Sequence, residues 1–346
     1  MSKGTTLGSK TRSQRLATAP AAGQVPATPS SGPSVALALG GGGARGLAHV
    51  LILEVFDELG IRPSFITGTS IGALYGAAYA AGLSAALIRA HTEDILAQRL
   101  DLARNLIAAR SDPIQKLFRL FSLRSSLLKP ETLLEHILPS GVPRTFADLK
   151  IPLAVVATDF YAQDTIVFSE GDLRQAIAAS IALPVIFQPV IVNNRALVDG
   201  GLVDPLPYDL AAGRAEVTVA IDVSGAPRSD PREMGPGAVE AIVACSQILQ
   251  RSIVREKLKR TRPDIYIDVD VDAFHVLEFH HFREILAAAQ PAKDLLKRKL
   301  ARVFESHTVP EVDPVPAIAH QPTPPESKPP KRRRLSLSLR PRKGKA

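Results

Sequence analysis

Two hydrophobic periodicities alternate along this chain. Short, nearly continuous apolar runs occur at 35–39, 63–67, 151–157, 164–169, 216–222 and 264–269. Such runs predict strands buried on both faces. Between them, large apolar residues recur every three or four positions. Leu47, Val50, Leu51, Val55 and Leu59 share one face of a helix predicted over 46–59. Small residues dominate 71–81, which predicts a closely packed helix. Further helices are predicted over 172–181, 237–260 and 282–306, the last with a kink at Pro291. The stretch 188–198 reads as a hairpin turning at Asn193-Asn194. Residues 83–138 carry helical but no strand signal and read as an insertion over one end of the sheet. The pattern predicts an α/β fold with a largely parallel central sheet, in one domain over 35–307 with a helical insertion at about 83–140.

Charge divides the chain differently. The net +8 includes +4 from residues 1–34 and +9 from 327–346, so the body between them is acidic at −5. The basic balance therefore argues for no nucleic-acid-binding fold. Both ends, 1–34 and 308–346, read as disordered basic tails, the second rich in proline. The sharper reading of the tails is peripheral contact with an anionic membrane. The N-terminal tail lacks the apolar core of a signal peptide. The charge-free stretch 63–88 is too rich in alanine, glycine and hydroxyl residues for a membrane span. One cysteine, Cys245, permits no intrachain disulfide. A cytoplasmic protein, peripheral to the inner face of a membrane, is expected.

The candidate chemistry starts where the first strand enters Gly40–Gly43. Gly41, Gly43 and Gly46 fit the dinucleotide fingerprint G-x-G-x-x-G. That reading demands an acidic residue at the end of the second strand to hold a ribose hydroxyl. The place is taken by Gly68-Thr69-Ser70-Ile71-Gly72 instead. This is G-x-S-x-G between a strand and a helix, the setting of a nucleophile elbow. A serine on so sharp a turn is pushed toward substrate, with a helix N-terminus behind it. The glycine loop then acquires a different anion to hold, the oxyanion of acyl transfer. Arg45 adds charge to the loop or structures it, unless it is an exposed cation on the first helical turn.

A serine nucleophile needs a base. Of eight histidines, His275, His280 and His281 are the late candidates, and none falls at a clear strand end. Asp199 does: it closes the strand RALV and precedes Gly200-Gly201. Placed against Ser70, it would accept the hydroxyl proton directly. A carboxylate is a weak base toward an alcohol, so exclusion of water and oxyanion stabilisation must close the gap. From the dipeptide alone, an Asp-Gly turn is the simpler explanation.

GGGARG, GTSIG and DGG, in that order, resemble the patatin-like phospholipases. The runs ATDFYAQDTIVFSEGDLRQAIAASIALPVIFQPV and RALVDGGLVDPLPYDLA resemble the bacterial branch related to the catalytic domain of neuropathy target esterase. The resemblance implies a three-layer α/β sandwich with a Ser–Asp dyad and neither cofactor nor metal. It implies Ser70 as nucleophile, Asp199 as base, and Gly41, Gly42, Gly43 and Arg45 as the oxyanion element. The implied substrates are phospholipids or lysophospholipids. One departure is Asp204 in GGLVDPLP, where the family commonly carries Asn. The rival readings are an esterase or thioesterase using His275 or His281, and a non-catalytic lipid- or nucleotide-binding module.

Overall fold

A computed structural model describes residues 32–107, 128–226 and 238–307. The expected tails and the centre of the expected helical insertion lie outside the described residues.

Eight strands form one sheet: β1 (Val35–Leu39), β2 (Phe65–Thr69), β3 (Leu153–Asp159), β4 (Asp164–Phe168), β5 (Val190–Val192), β6 (Arg195–Asp199), β7 (Val217–Asp222) and β8 (Ile265–Asp268). Their order is β5-β6-β3-β2-β1-β7-β8, with β4 also paired to β3. β3, β2, β1, β7 and β8 run parallel. β4, β5 and β6 add antiparallel pairings. The sheet is thus mixed and mostly parallel. Among the described residues seven α-helices accompany it: α1 (His49–Glu58), α2 (Ile71–Ala80), α3 (Ala85–Ile107), α4 (Pro130–Ile137), α5 (Leu173–Ser180), α6 (Ala238–Arg260) and α7 (Phe282–His307).

The alternation of large and small residues in β1, VALAL, tells its two faces apart. Val35, Leu37 and Leu39 enter the main core with residues of α1, α2 and α7. Ala36 and Ala38 face the other way, toward Leu206, Tyr208, Ala211 and Val254. On that side an irregular segment approaches the sheet closely, and its backbone lacks ladder partners. The buried threonines of β2 meet that demand. Thr67 Oγ1 donates to the Pro207 carbonyl at 3.0 Å and Thr69 Oγ1 to the Asp204 carbonyl at 2.8 Å. Helices on one face and α6 with this segment on the other make three layers.

Three predicted boundaries shift. The helix expected over 46–59 is preceded by a tighter 3₁₀ turn, Gly43–Ala48, and becomes α-helical at His49. The second and third strands each lie two residues later than hydropathy alone placed them. The sheet continues through Thr69, whose hydroxyl bonds the Asp204 carbonyl, and Asp159, whose carboxylate accepts from the Tyr161 and Ala162 amides of the following turn. The hairpin turns at Asn193 and Asn194, whose φ of 49° and 60° match the left-handed pair a two-residue turn requires. α7 runs through Pro291.

Candidate active site

β2 ends at Thr69 and α2 begins at Ile71, so the whole reversal falls on Ser70. Its φ of 55° and ψ of −122° lie outside the favoured regions for a side-chain-bearing residue. Gly72 makes the turn possible: a Cβ there would stand 2.2 Å from the Leu39 carbonyl oxygen. Serine at a helix N-cap ordinarily bonds the first-turn amides. Here it makes no cap. Its Oγ donates instead to Asp199 Oδ2 at 2.6 Å.

Strand register accounts for that meeting. Thr69 pairs with Val156 of β3, and Asp199 pairs with the next residue, Ala157. β4 covers Val155 through Asp159 on the opposite edge. β2 and β6 therefore share one edge of β3, β6 starting where β2 stops. Two segments 129 residues apart are delivered to consecutive places. The DGG turn fits tightly, since a Cβ on Gly200 would lie 2.3 Å from the Val156 carbonyl oxygen.

Asp199 is buried and held at every polar atom. Oδ1 accepts from the Gly201 amide at 2.7 Å and its carbonyl from Thr158 Oγ1 at 2.8 Å. Its own amide donates to the Ala182 carbonyl at 3.0 Å. Burial pushes its carboxyl up to about 6, against the opposing pull of the hydrogen bonds from Ser70 and Gly201.

The glycine loop lies against the same turn: a Cβ on Gly41 would be 3.4 Å from Ser70 Cβ. Its amides are not equivalent. The Gly40 amide donates to the Ile221 carbonyl and that of Gly41 to the Pro205 carbonyl. Among the described residues, no acceptor faces the amides of Gly42 and Gly43. Arg45 is not an exposed cation. It is fully buried, with Nε donating to the Phe274 carbonyl at 2.7 Å and Nη1 to the Ser224 carbonyl. Its guanidinium ties the glycine loop to the chain after β7 and to the loop before α7. Ser70 donates to Asp199 with no histidine in the contact. His281 lies 3.7 Å from Glu284 on the surface.

Sequence reasoning missed three supports. Ser180, at the end of α5, accepts from the Ser70 amide at 2.8 Å and donates to the Val156 carbonyl at 2.6 Å. The signal was a lone hydroxyl among the alanines of a buried helix end, which requires a partner. His49 Nε2 contacts the Gly40 carbonyl at 2.9 Å. Lys257 of α6 reaches Asp204 Oδ1 at 2.6 Å, matching the carboxylate that replaces the common Asn. Beside the turn, a cavity of about 250 Å³ opens between α2, α3 and α4, lined by Leu47, Ile71, Leu74, Tyr75, Ile88 and Phe279 among others. Among the described residues no cluster of His, Cys, Asp and Glu is arranged to hold a metal, and no helix is long and apolar enough to cross a membrane.

The family model described as patatin-like phospholipase matches residues 37–212, and the chain belongs to that family. Members of this family are generally carboxylic ester hydrolases. An uncharacterised NTE family protein of Mycobacterium tuberculosis is 36% identical over 208 residues, covering 60% of this chain and 54% of that protein. Patatin-like phospholipase domain-containing protein 7 of Rattus norvegicus is 29% identical over 279 residues, covering 74% of this chain and 20% of that protein. The chain thus spans about half the length of the mycobacterial relative and a fifth of the mammalian one. The crystal structure of VipD from Legionella pneumophila aligns with a TM-score of 0.41 at 15% identity, covering 78% of this chain and 67% of that one.

Proposed function

We propose that this protein hydrolyses acyl esters of phospholipids or lysophospholipids through an acyl-enzyme on Ser70. The observation that carries the reading is the 2.6 Å hydrogen bond from Ser70 Oγ to a buried Asp199 carboxylate. Ser70 Oγ attacks the ester carbonyl carbon as its proton passes to Asp199 Oδ2. The resulting oxyanion is met by the Gly42 and Gly43 amides, loop donors that bond no acceptor among the described residues. Arg45 supports the loop from behind. Collapse of the tetrahedral adduct expels the alcohol, which takes the proton from Asp199. Water then adds to the acyl-enzyme, giving its proton to Asp199, and the fatty acid leaves as Ser70 recovers its hydroxyl. Burial narrows the proton-affinity gap between carboxylate and alcohol by about 3 kcal/mol relative to an ordinary Asp. The apolar cavity beside Ile71 suits the acyl chain.

The test is hydrolysis of a short-chain p-nitrophenyl ester and of a lysophospholipid by wild type, Ser70→Ala and Asp199→Asn. Losses of roughly 10³-fold or more in both variants, with folding intact, are expected. Activity kept by Asp199→Asn, but lost on joint replacement of His275 and His281, would move the base to a late histidine.

A further inference from the structure

α6 buries Val243, Gln247, Gln250 and Val254 as a stripe at helical spacing, and Val254 packs with Ala38 and Ala220 of the sheet. Gln250 reaches the DGG turn: a Cβ on Gly201 would stand 3.0 Å from its Nε2. The helix therefore flanks the turn that carries Asp199. Its outward face is apolar where a surface helix is ordinarily polar. Ile242 is 55% exposed, and Ile248 and Leu249 are each 62% exposed. Cys245 lies exposed among them. Isolated exposed aliphatics need no explanation, but these are adjacent on one helix.

Charge says what the face meets. Residues 241–262 contain six basic side chains and a single acid, Glu256. Glu256 is bridged to Lys259, and Lys257 is used by Asp204 and Asp209. Arg255, Arg260 and Arg262 are exposed and close no ion pair among the described residues, and the one nearby acid, Glu256, faces the charge of Lys259, Arg260 and Arg255 together. An apolar patch continuing into a stretch where basic groups outnumber acids six to one complements an anionic lipid surface. Aliphatics enter the headgroup–acyl boundary while guanidinium groups meet phosphates. A second copy of the chain would offer the same positive charge, not its complement.

We propose that the outward face of α6 seats this protein on an anionic lipid surface, with Ile242, Ile248 and Leu249 inserted and Arg255, Arg260 and Arg262 at the phosphates. The docking stands on these residues alone. That it presents the Ser70–Asp199 turn to substrate rests on the hydrolytic reading above.

The chain's single cysteine lies on the face in question, so the full-length protein carries its own labelling site. An environment-sensitive fluorophore on Cys245 is expected to shift to the blue with vesicles of phosphatidylcholine and phosphatidylglycerol, and far less with phosphatidylcholine alone. In vesicle sedimentation, Ile242→Ser/Leu249→Ser and Arg255→Gln/Arg260→Gln/Arg262→Gln are each expected to weaken binding roughly tenfold or more. Both variants should keep wild-type hydrolysis of a soluble monomeric ester. Ser70→Ala should bind vesicles as wild type does, which separates docking from chemistry. No blue shift on anionic vesicles would overturn the proposal, even if the variants failed to fold. So would unchanged sedimentation of both variants, which would assign binding to the basic tails or the insertion. Loss of self-association in the apolar variant, with vesicle binding intact, would make the face a contact between copies and overturn it as well.

Discussion

The Ser180 hydroxyl accepts a hydrogen bond from the backbone amide of Ser70 at 2.8 Å and donates one to the Val156 carbonyl at 2.6 Å. Backbone strain of the kind Ser70 carries costs about 1–3 kcal/mol and persists only where its surroundings enforce it. Ser180 ties the strained turn to the strand beside it. Replacing it with alanine leaves a buried donor and a buried acceptor unpaired. Ser180→Ala is expected to lose about 1–3 kcal/mol of stability in urea denaturation. It should also lower kcat roughly 10- to 100-fold with a smaller change in KM, since the nucleophile would be misplaced more than substrate binding. An unchanged kcat would reduce Ser180 to a packing residue.

Asp199 gives the activity an acid limb. Its carboxyl titrates at about 6 in the folded protein, and only the ionised form can take the Ser70 proton. kcat/KM for a soluble ester is expected to fall as pH drops through about 6, measured between about pH 4.5 and 8. Stability runs the other way. A carboxyl whose folded pKa exceeds its unfolded value contributes stability that is full below the unfolded pKa. That contribution disappears as pH rises through the folded pKa. The ionised form at neutral pH is therefore a cost. Asp199→Asn should be inactive yet more stable than wild type by about 1–3 kcal/mol at neutral pH, falling toward zero in acid. Calorimetric melting of the two proteins at several pH values checks both sign and window.

The Asp204–Lys257 pair makes a different kind of prediction. Lys257 Nζ sits 2.6 Å from Asp204 Oδ1, contacts Asp209, and donates to the Leu206 carbonyl at 3.0 Å. Asp204 is buried, and burial outweighs the lysine in setting its carboxyl above the usual range. Its backbone carbonyl receives the Thr69 hydroxyl, one residue before the elbow. Lys257→Met strands a buried carboxylate and is expected to lose about 3–5 kcal/mol in chemical denaturation. Asp204→Asn, which restores the residue common in the family, should recover much of that loss in the double variant. Equal stability of the single and double variants would mean that the pair is not coupled.

Much of this fold could be read from local pattern, and the exceptions share one cause. Asn193-Asn194 named its own turn, and VALAL announced a strand buried on both faces. Boundaries slipped at Thr69, whose hydroxyl is met by a carbonyl 135 residues away, and at Asp159, whose carboxylate is met by the amides of its own turn, neither of which hydropathy can see. The site divides the same way. G-x-S-x-G and DGG stand out because close backbone approach admits only glycine at Gly72 and Gly200. Their meeting depends on β6 taking over the edge of β3 that β2 vacates, which is a matter of register. The roles of Ser180, His49 and Lys257 depend on partners 110, 9 and 53 residues away. No spacing rule relates those positions. Arg45 stayed open between a support of the loop and a surface charge because the carbonyls that receive it come from beyond β7.

His49 supplies the last prediction, opposite in sign to Asp199. Its ring is fully buried, with Nε2 at 2.9 Å from the Gly40 carbonyl and Nδ1 without a partner. The carbonyl can only accept, so Nε2 carries the proton and the neutral ring holds the entry to the glycine loop. Burial lowers its pKa to about 4, only partly opposed by the bond to Gly40 and the charge of Asp222. A histidine whose folded pKa lies below its unfolded value contributes stability that is present above about pH 6.5. That contribution is lost as pH falls through about 4. The shift corresponds to about 3 kcal/mol. Glutamine can donate to the same carbonyl but cannot titrate, so His49→Gln should flatten the acid limb of stability against pH. Asp199→Asn should steepen it, because the compensating gain from protonating Asp199 is gone. Urea denaturation of wild type and both variants, from about pH 7 down to about 4, tests the pair together. Parallel profiles for wild type and His49→Gln would mean that His49 does not hold its neutral form in the fold.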